Sequence, residues 1–171
     1  MKVLITGVAG FIGSNLANSL LKNNIQVVGV DNLSYGVLGQ VPKDVEFHKM
    51  DIRDKNISDI FDNIDYVFHL AAKNCITDCQ EDPMTTFDIN VNGTINIFEA
   101  AIKKNIKKVI YAESSSVYEG ATSLPSNESE VFPESIYAIS KITTNFLAKD
   151  YRKSKGLVTT GLRYFNVYGP R

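Results

Sequence analysis

Residues 2–13 read KVLITGVAGFIG, a short apolar run that leads into glycines at every third position. The run 2–6 has the length and composition of a buried strand, and from residue 12 onward apolar residues recur every fourth position, as on one helix face. Gly7, Gly10 and Gly13 therefore occupy the turn between a strand and a helix. Such a turn can serve a dinucleotide, since it supplies a tight bend, close backbone approach to the pyrophosphate and close helix–strand packing. The spacing G-x-x-G-x-x-G differs from the commoner G-x-G-x-x-G, so a glycine turn without a ligand is the alternative.

Apolar runs of strand length alternate with segments of helical periodicity along the rest of the chain. The predicted strands cover residues 2–6, 26–31, 46–51, 65–71, 107–114 and 157–164. Three helices are predicted. The first begins near residue 12, and the second runs from 82 to 105 with Asp82 as N-cap and Pro83 in the first turn. The third runs from 137 to 154. This alternation predicts right-handed βαβ units. We therefore expect one α/β domain over residues 1–171, a Rossmann-type doubly wound parallel sheet in three α/β/α layers.

The composition is that of a globular protein, with 171 residues, 44% hydrophobic and 22% charged residues and a formal net charge of -1. The near-neutral balance argues against a nucleic-acid partner. The apolar run before Gly7 is too short for a signal peptide or a spanning helix. Two Cys and two His do not make a four-ligand zinc site without carboxylates, so no metal is expected. The sequence predicts a cytoplasmic protein without nucleic-acid or membrane partners.

Asp31 ends the second predicted strand about 20 residues beyond the glycines, where a carboxylate can accept both ribose hydroxyls of NAD. A 2′-phosphate at that place would meet a like charge, and no Arg occurs between Asn32 and Gly39. The sequence therefore favours NAD over NADP.

Tyr137 and Lys141 lie four residues apart, on one face of the third predicted helix. Lowering the pKa of a phenol from near 10 to about 7 requires about 4 kcal/mol, which a nearby Lys and the positive nicotinamide of oxidised NAD could supply together. The alternative is an ordinary amphipathic helix that carries this pair by chance. The glycine turn and the serines 114–116 at the end of a strand favour a catalytic pair, because ligands bind at the carboxyl ends of parallel strands.

Eight motifs, which span the chain in order, resemble those of the extended short-chain dehydrogenase/reductases, specifically the NAD-dependent nucleotide-sugar epimerase/dehydratase group. They are TGVAGFIG (6–13), DNLS (31–34), DIRD (51–54), HLAA (69–72), NVNGT (90–94), SSSVY (114–118), YAISK (137–141) and RYFNVYG (163–169).

This resemblance implies roles for individual residues. It makes Tyr137 the acid/base, Lys141 the residue that holds the nicotinamide ribose and lowers the pKa of Tyr137, and Ser114 the hydrogen-bond partner of the reacting sugar hydroxyl. The implied substrate contacts are Ser114, Ser116, Tyr137 and Asn166. The implied cofactor-binding residues are Gly7, Gly10, Phe11, Ile12, Gly13, Asp31, Asn32, Asp51, Ile52, Leu70, Ala71, Ala72, Tyr137, Lys141 and Tyr164.

The serines 114–116 also discriminate between reactions. The similar sugar 4,6-dehydratases carry Thr-Asp-Glu there, because elimination of water needs an extra acid and base that hydroxyls do not provide near neutral pH. We therefore expect a UDP-sugar-like 4-epimerase that works through a transient 4-keto sugar. The alternatives are a 4-keto-sugar reductase, a 4,6-dehydratase, or a fragment that binds NAD without turnover.

Two departures from the resembling family stand out. Its usual Val-Tyr-Gly reads Val117-Tyr118-Glu119-Gly120 here, and we expect Glu119 to be a plain surface residue. The family also continues into a C-terminal substrate domain, which is absent from this chain, so the 171 residues alone are expected to be inactive.

The family's subunits pair through the two helices predicted at 82–105 and 137–154, which implies a homodimer. Apolar residues outside the main stripe of each helix support a second partner for both. These residues are Ile89, Ile97, Leu147 and Tyr151.

Overall fold

A computed structural model describes residues 1–170, and Arg171 lies outside the described residues. The strands are β1 (Lys2–Thr6), β2 (Gln26–Asp31), β3 (Glu46–Lys49), β4 (Tyr66–His69), β5 (Lys108–Ser114) and β6 (Thr159–Tyr164). The α-helices are α1 (Phe11–Lys22), α2 (Ile76–Glu81), α3 (Pro83–Phe87), α4 (Gly93–Lys103) and α5 (Ile136–Lys155). Short 3₁₀ turns cover Leu38–Gln40, Ile57–Phe61 and Ser115–Tyr118, and a π-helical turn at Asp88–Asn92 joins α3 to α4.

The strands form one parallel sheet in the order β3-β2-β1-β4-β5-β6. This order confirms the predicted Rossmann-type doubly wound fold. The chain moves outward from β1 to β3 and then returns to the other side of β1 with β4. Connections on the two sides of this switch point diverge, which opens a crevice at the carboxyl ends of β1 and β4.

The boundaries of β1 and β2 coincide with the prediction, whereas β3 and β4 are shorter than predicted. The pairing of β3 with β2 ends where Lys49 faces Asp31, and that of β4 with β1 ends where His69 faces Thr6. Residues 50–51 and 70–71 lie beyond these last pairs and form loops. The local sequence pattern thus predicts that a strand forms, but its pairing with the neighbouring strand determines the residue at which it ends.

Apolar side chains on both faces of the sheet form two cores. One face packs mainly against α4 and α5, with Leu4, Phe61, Val67, Phe98 and Val109 fully buried. The other packs against α1. Its buried members are Val3, Ile5, Val8, Ala17, Val27 and Val45. Adjacent residues of β1 contribute to opposite cores because successive strand side chains point to opposite faces.

The segment predicted as one helix from 82 to 105 is interrupted by the π-helical turn. Its start is as predicted, since the Asp82 carboxylate accepts a hydrogen bond from the Thr85 N–H and Pro83 occupies the first turn. A π turn holds one residue more than an α turn, so a stripe counted for a straight helix drifts off the buried face. Met84, an apolar residue in the first turn of the predicted helix, is 82% exposed, and the polar Asn90 is buried instead.

The residues that indicated a second partner lie in the core of this chain. Ile97 and Tyr151 are buried, and Ile89 and Leu147 pack against the core, so this argument for a dimer is wrong. A different apolar set lies on the surface of α3 and α5: Met84 is 82% exposed, Phe146 58% and Ile139 37%. Among residues 1–170, no helix is long and apolar enough to cross a membrane.

Candidate active site

A cavity of about 1080 Å³ opens at the carboxyl ends of β1, β2, β4 and β5, where the crevice lies. Every residue that the sequence assigned to the cofactor or to the substrate lines this cavity, from the glycines after β1 to Tyr164 and Asn166 beyond β5. Residues from seven of the eight motifs therefore meet in one place, although their individual roles remain predictions.

The glycine turn is shaped by close backbone contacts. Gly7 has a φ of +72°, and a Cβ there would lie 2.8 Å from the Ala71 nitrogen. A Cβ at Gly13 would lie 2.2 Å from the Gly7 carbonyl oxygen, so only glycine lets α1 start so close to β1. Gly10 is the N-cap of α1, and among the described residues no side chain caps this helix end. The N–H groups of its first turn therefore remain available to a ligand at the cavity wall.

Two carboxylates, Asp31 and Asp51, line the cavity near the ends of β2 and β3. Asp31 accepts hydrogen bonds from the Ala9 N–H (3.0 Å) and the Leu33 N–H (2.8 Å), one on each oxygen. Each oxygen keeps further acceptor capacity for a ribose hydroxyl. The Asn32 amide donates to Asp51 at 2.9 Å, and the Arg53 guanidinium beside Asp51 holds the pKa of that carboxyl well below its usual range.

The loop after β4 is hydrogen-bonded to Thr6, which in turn contacts the buried His69. Thr6 Oγ1 accepts from the N–H groups of Leu70 and Ala71, both at 3.1 Å, and its own proton therefore faces His69 Nδ1 at 2.7 Å. His69 Nε2 lies 2.9 Å from Thr94 Oγ1, whose proton goes to the Asn90 carbonyl at 2.6 Å. These partners fit a neutral imidazole that carries its proton on Nε2. Burial lowers the pKa of His69 to about 3, so the ring has a structural function at neutral pH.

Asn90, which the sequence analysis did not single out by itself, holds the same loop from the other side. Its amide pairs with both backbone groups of Lys73, at 2.8 Å to the N–H and 3.0 Å to the carbonyl, and also donates to Ser140 Oγ at 3.0 Å. The π-helical turn directs this side chain inward. The NVNGT motif was the available signal, but only the turn shows that its first Asn joins the β4 loop to α5.

The predicted catalytic residues converge between β5 and the first turns of α5. Ser135 caps α5 by accepting from the Ala138 N–H at 3.1 Å, and Tyr137 follows in the first turn. Ser114 ends β5 and caps the turn Ser115–Tyr118, and its hydroxyl lies close enough to the Tyr137 phenol for hydrogen bonding between them to lower the pKa of the phenol. The buried Lys141 Nζ donates to the Ala112 carbonyl at 3.0 Å and lies 5.9 Å from the centre of the Tyr137 ring.

Burial shifts the pKa values of both Tyr137 and Lys141. Burial raises the pKa of its phenol, and the hydrogen bond with Ser114 offsets this only in part. Burial also lowers the pKa of Lys141 to about 8. The Lys141 ammonium donates to a carbonyl of β5, and burial dominates the pKa of Tyr137. The lowering of this pKa by Lys141 together with oxidised NAD stays a prediction.

A buried anion lies beneath Lys141. Glu113 on β5 faces Arg163 on β6, and its carboxylate accepts from Arg163 Nε at 2.8 Å and from the Tyr111 hydroxyl at 2.8 Å. A Cβ at Gly161 would lie 2.1 Å from a Glu113 oxygen, so a larger residue at this strand position would displace the carboxylate. The negative charge raises the pKa of Lys141 against the effect of burial. A charged residue inside an apolar strand pattern was the only sequence signal for this cluster.

Comparison with known proteins agrees with this geometry. Residues 3–171 match the model of a family described as NAD dependent epimerase/dehydratase family. The chain is 40% identical over 184 residues to Protein CapI of Staphylococcus aureus, an alignment that covers 99% of this chain and 55% of CapI. Its structure is similar to that of UDP-glucose 4-epimerase with UDP-glucose from Thermotoga maritima, with a TM-score of 0.96 and 36% identity, over 100% of this chain and 57% of that one. The Thermus thermophilus UDP-glucose 4-epimerase complex with NAD gives a TM-score of 0.94 and 36% identity with the same coverage. The chain thus spans about half the length of the curated relatives that it matches.

Proposed function

The chain belongs to the NAD dependent epimerase/dehydratase family, and on that premise we propose that it is the cofactor-binding part of a nucleotide-sugar 4-epimerase. One observation carries the proposal: Tyr137, Lys141 and three consecutive serines line the same cavity as the glycine turn. A site of this composition can bind a dinucleotide and a hydroxylated substrate side by side.

The cavity fits NAD, the cofactor of the family. The uncapped first turn of α1 offers N–H donors to a pyrophosphate, and Gly10 leaves the approach open, since a Cβ there would meet only the Gly7 oxygen, at 3.3 Å. Asp31 would take the ribose hydroxyls of the adenosine half, and Asp51 and Ile52 would border the adenine. Lys141 would hold the ribose of the nicotinamide half. When bound, NAD supplies an acceptor for the hydride of sugar C4 and later its donor.

The protein's own residues move a proton at the sugar 4-hydroxyl. Tyr137 takes this proton when the 4-keto sugar forms. It returns the proton to the same oxygen when the keto group is reduced on its opposite face. Ser114, which is hydrogen-bonded to the phenol, positions the reacting oxygen, and Ser116 and Asn166 contact the sugar. Because burial raises the pKa of Tyr137, the phenol needs a nearby positive charge, such as that of oxidised NAD, to act as a base at neutral pH.

The serine turn supports epimerisation over dehydration. Ser116 donates from both its N–H (3.2 Å) and its hydroxyl (3.0 Å) to Ser114 Oγ, so the hydroxyls form one short chain beside Tyr137. Hydroxyl groups orient a substrate oxygen well but are poor acids and bases at neutral pH. Epimerisation at C4 requires one acid/base, whereas elimination across C5–C6 requires two more groups.

The test is turnover of UDP-sugars by the full-length protein, followed as the epimer ratio by NMR. We expect Tyr137→Phe to keep NAD binding and to lower turnover by about 10² to 10⁴, the range for a positioned acid/base. Ser114→Ala should cost less, because the proton acceptor stays in place. Wild-type turnover in Tyr137→Phe would refute the mechanism. A 171-residue chain that epimerises as fast as the full-length protein would refute the proposal that a second domain grips the nucleotide.

We also propose that two copies pair through the helical segment 82–105, by way of α3 and the π-helical turn, and through α5. Met84, Ile139 and Phe146 present apolar surface to solvent on these helices, and Phe87 and Val91 are only half-buried. A helix that is apolar beyond its core face needs a second partner. A two-fold axis would let the same patch cover itself.

A further inference from the structure

Glu119 links two parts of the active site that are far apart in the chain. Its Oε2 accepts hydrogen bonds from the N–H of Ser135 at 2.9 Å and from the N–H of Glu134 at 3.3 Å. Its Oε1 accepts from Ser135 Oγ at 3.0 Å. The side chain is exposed, as expected from the sequence, but its carboxylate is held by three donors.

The two elements that Glu119 joins each carry a reacting group. The Glu119 N–H donates to the Ser116 carbonyl at 3.1 Å, so the residue belongs to the turn that Ser114 caps. On the other side, Ser135 Oγ accepts from the Ala138 N–H at 3.1 Å and thereby caps α5, two residues before Tyr137. A continuous path of hydrogen bonds therefore runs from the serine turn to the helix of the acid/base.

The loop between these elements is closed at its base as well. The Gly120 N–H donates to the Phe132 carbonyl at 2.9 Å, and the Phe132 N–H donates to the Val117 carbonyl at 2.8 Å. Glu130 lies in this loop, and its carboxylate accepts a hydrogen bond from Ser123 of the same loop. Glu119, in contrast, lines the main cavity.

The N-terminus of α5 favours an anion at this position. Its first turn, residues 136–139, contains no Asp or Glu, so the positive end of the helix dipole has no acidic side chain of its own. The Glu119 carboxylate supplies that charge from outside the helix. A glycine at this position, as in the usual pattern of the resembling family, has no side chain with which to make these contacts.

We propose that Glu119 is a positioning residue for Tyr137: through Ser135 it sets the start of α5 relative to the serine turn and keeps the phenol against Ser114. This inference rests on the proposed function, in which Tyr137 is the acid/base. It assigns no proton transfer to Glu119 itself. The hydrogen bonds fix the position of α5, while the charge adds only stability at the helix N-terminus, so an isosteric amide should preserve the positioning.

The test compares Glu119→Ala, Glu119→Gln and the control Glu130→Ala in the full-length protein, with kcat and KM measured against pH. We expect Glu119→Ala to lower kcat by about 10- to 100-fold, the scale of an ångström-sized misplacement, with little change in KM. The acid limb of its pH profile should move to higher pH, because the phenol loses alignment with the Ser114 hydrogen bond that lowers its pKa.

Glu119→Gln should stay close to wild type. Its amide oxygen can accept from both backbone N–H groups, and its NH₂ can donate to the second lone pair of Ser135 Oγ. Glu130→Ala should leave both kcat and the pH profile unchanged. The inference is overturned if Glu119→Ala changes only the melting temperature, or if Glu119→Gln is as damaging as Glu119→Ala, which would make the charge the essential property.

A second measurement separates this inference from the proposed function. The ionisation of Tyr137 in the 171-residue chain is followed by tyrosinate absorbance, as the difference between each chain and its Tyr137→Phe counterpart. A higher pKa of Tyr137 in Glu119→Ala than in the parent supports the positioning function even if no UDP-sugar is turned over. An unchanged pKa contradicts it even if the full-length protein is an epimerase.

Discussion

Replacing Lys141 by methionine should stabilise the protein while it disables the site. The Lys141 side chain is buried, and its pKa falls from 10.5 to about 8 because burial penalises the ammonium. At 1.36 kcal/mol per pH unit, that difference corresponds to about 3 kcal/mol of unfavourable free energy in the folded chain at about pH 7. Methionine fills similar space without the charge. It loses the hydrogen bond to the Ala112 carbonyl, which contributes about 1 kcal/mol. We therefore expect Lys141→Met to raise the free energy of unfolding by about 2 kcal/mol.

The pH dependence makes this prediction specific. Below about pH 8 the lysine is charged in both the folded and the unfolded chain, so the full penalty is present. Between about 8 and 10.5 the folded chain releases its proton while the unfolded chain still binds one, so the wild type gains stability as pH rises. The advantage of Lys141→Met should accordingly shrink across this window.

Urea denaturation of both proteins at about pH 7 and about pH 10 measures the effect. The matched control is Lys149→Met on the same helix, where the lysine is exposed and a change within about 0.5 kcal/mol is expected. A Lys141→Met variant that is less stable than wild type at about pH 7 would refute the reasoning. So would an advantage that stays constant between the two pH values.

Three further predictions concern other parts of the molecule. Burial lowers the pKa of His69 to about 3 from an ordinary value of 6.5. The free energy of unfolding should therefore decrease by about 5 kcal/mol as pH falls through that interval, and the His69 NMR signals should remain those of a neutral ring at about pH 4. NADP should bind at least about tenfold more weakly than NAD, since its 2′-phosphate would face the Asp31 carboxylate, and calorimetric titration should show this preference shrinking in Asp31→Asn; equal affinities in the wild type would contradict the assignment. Light scattering should find a dimer at micromolar concentration that Phe146→Asp converts to monomer, because the variant places a charge on the exposed apolar patch; a wild type that is monomeric throughout would count against the pairing.

Local features of the sequence predicted the architecture and the members of the site. Strand–helix alternation is a short-range property, because period 2 and period 3.6 follow from backbone geometry, and β1 and β2 were predicted to the residue. The glycine spacing predicted the turn for a similar reason, since the positive φ of Gly7 and the close contact of Gly13 with the Gly7 oxygen both belong to one strand–turn–helix unit. Motif resemblance then indicated the other cavity-lining residues one by one, without showing how they are held.

The tertiary structure alone decided which helix faces are buried and how the polar groups of the site are partnered. The π-helical turn at Asp88–Asn92 shifts the helical register by one residue, so that Asn90 turns inward and Met84 outward, which a straight-helix count misses. The pKa of Tyr137 depends on how deeply α5 buries the phenol and on where Lys141 Nζ is drawn by a carbonyl of β5. Glu119 looked like an ordinary surface residue because its partners lie 15 and 16 residues away, across a loop. Burial and hydrogen-bond partners depend on residues distant in the chain, and periodicity along a single segment carries no information about them.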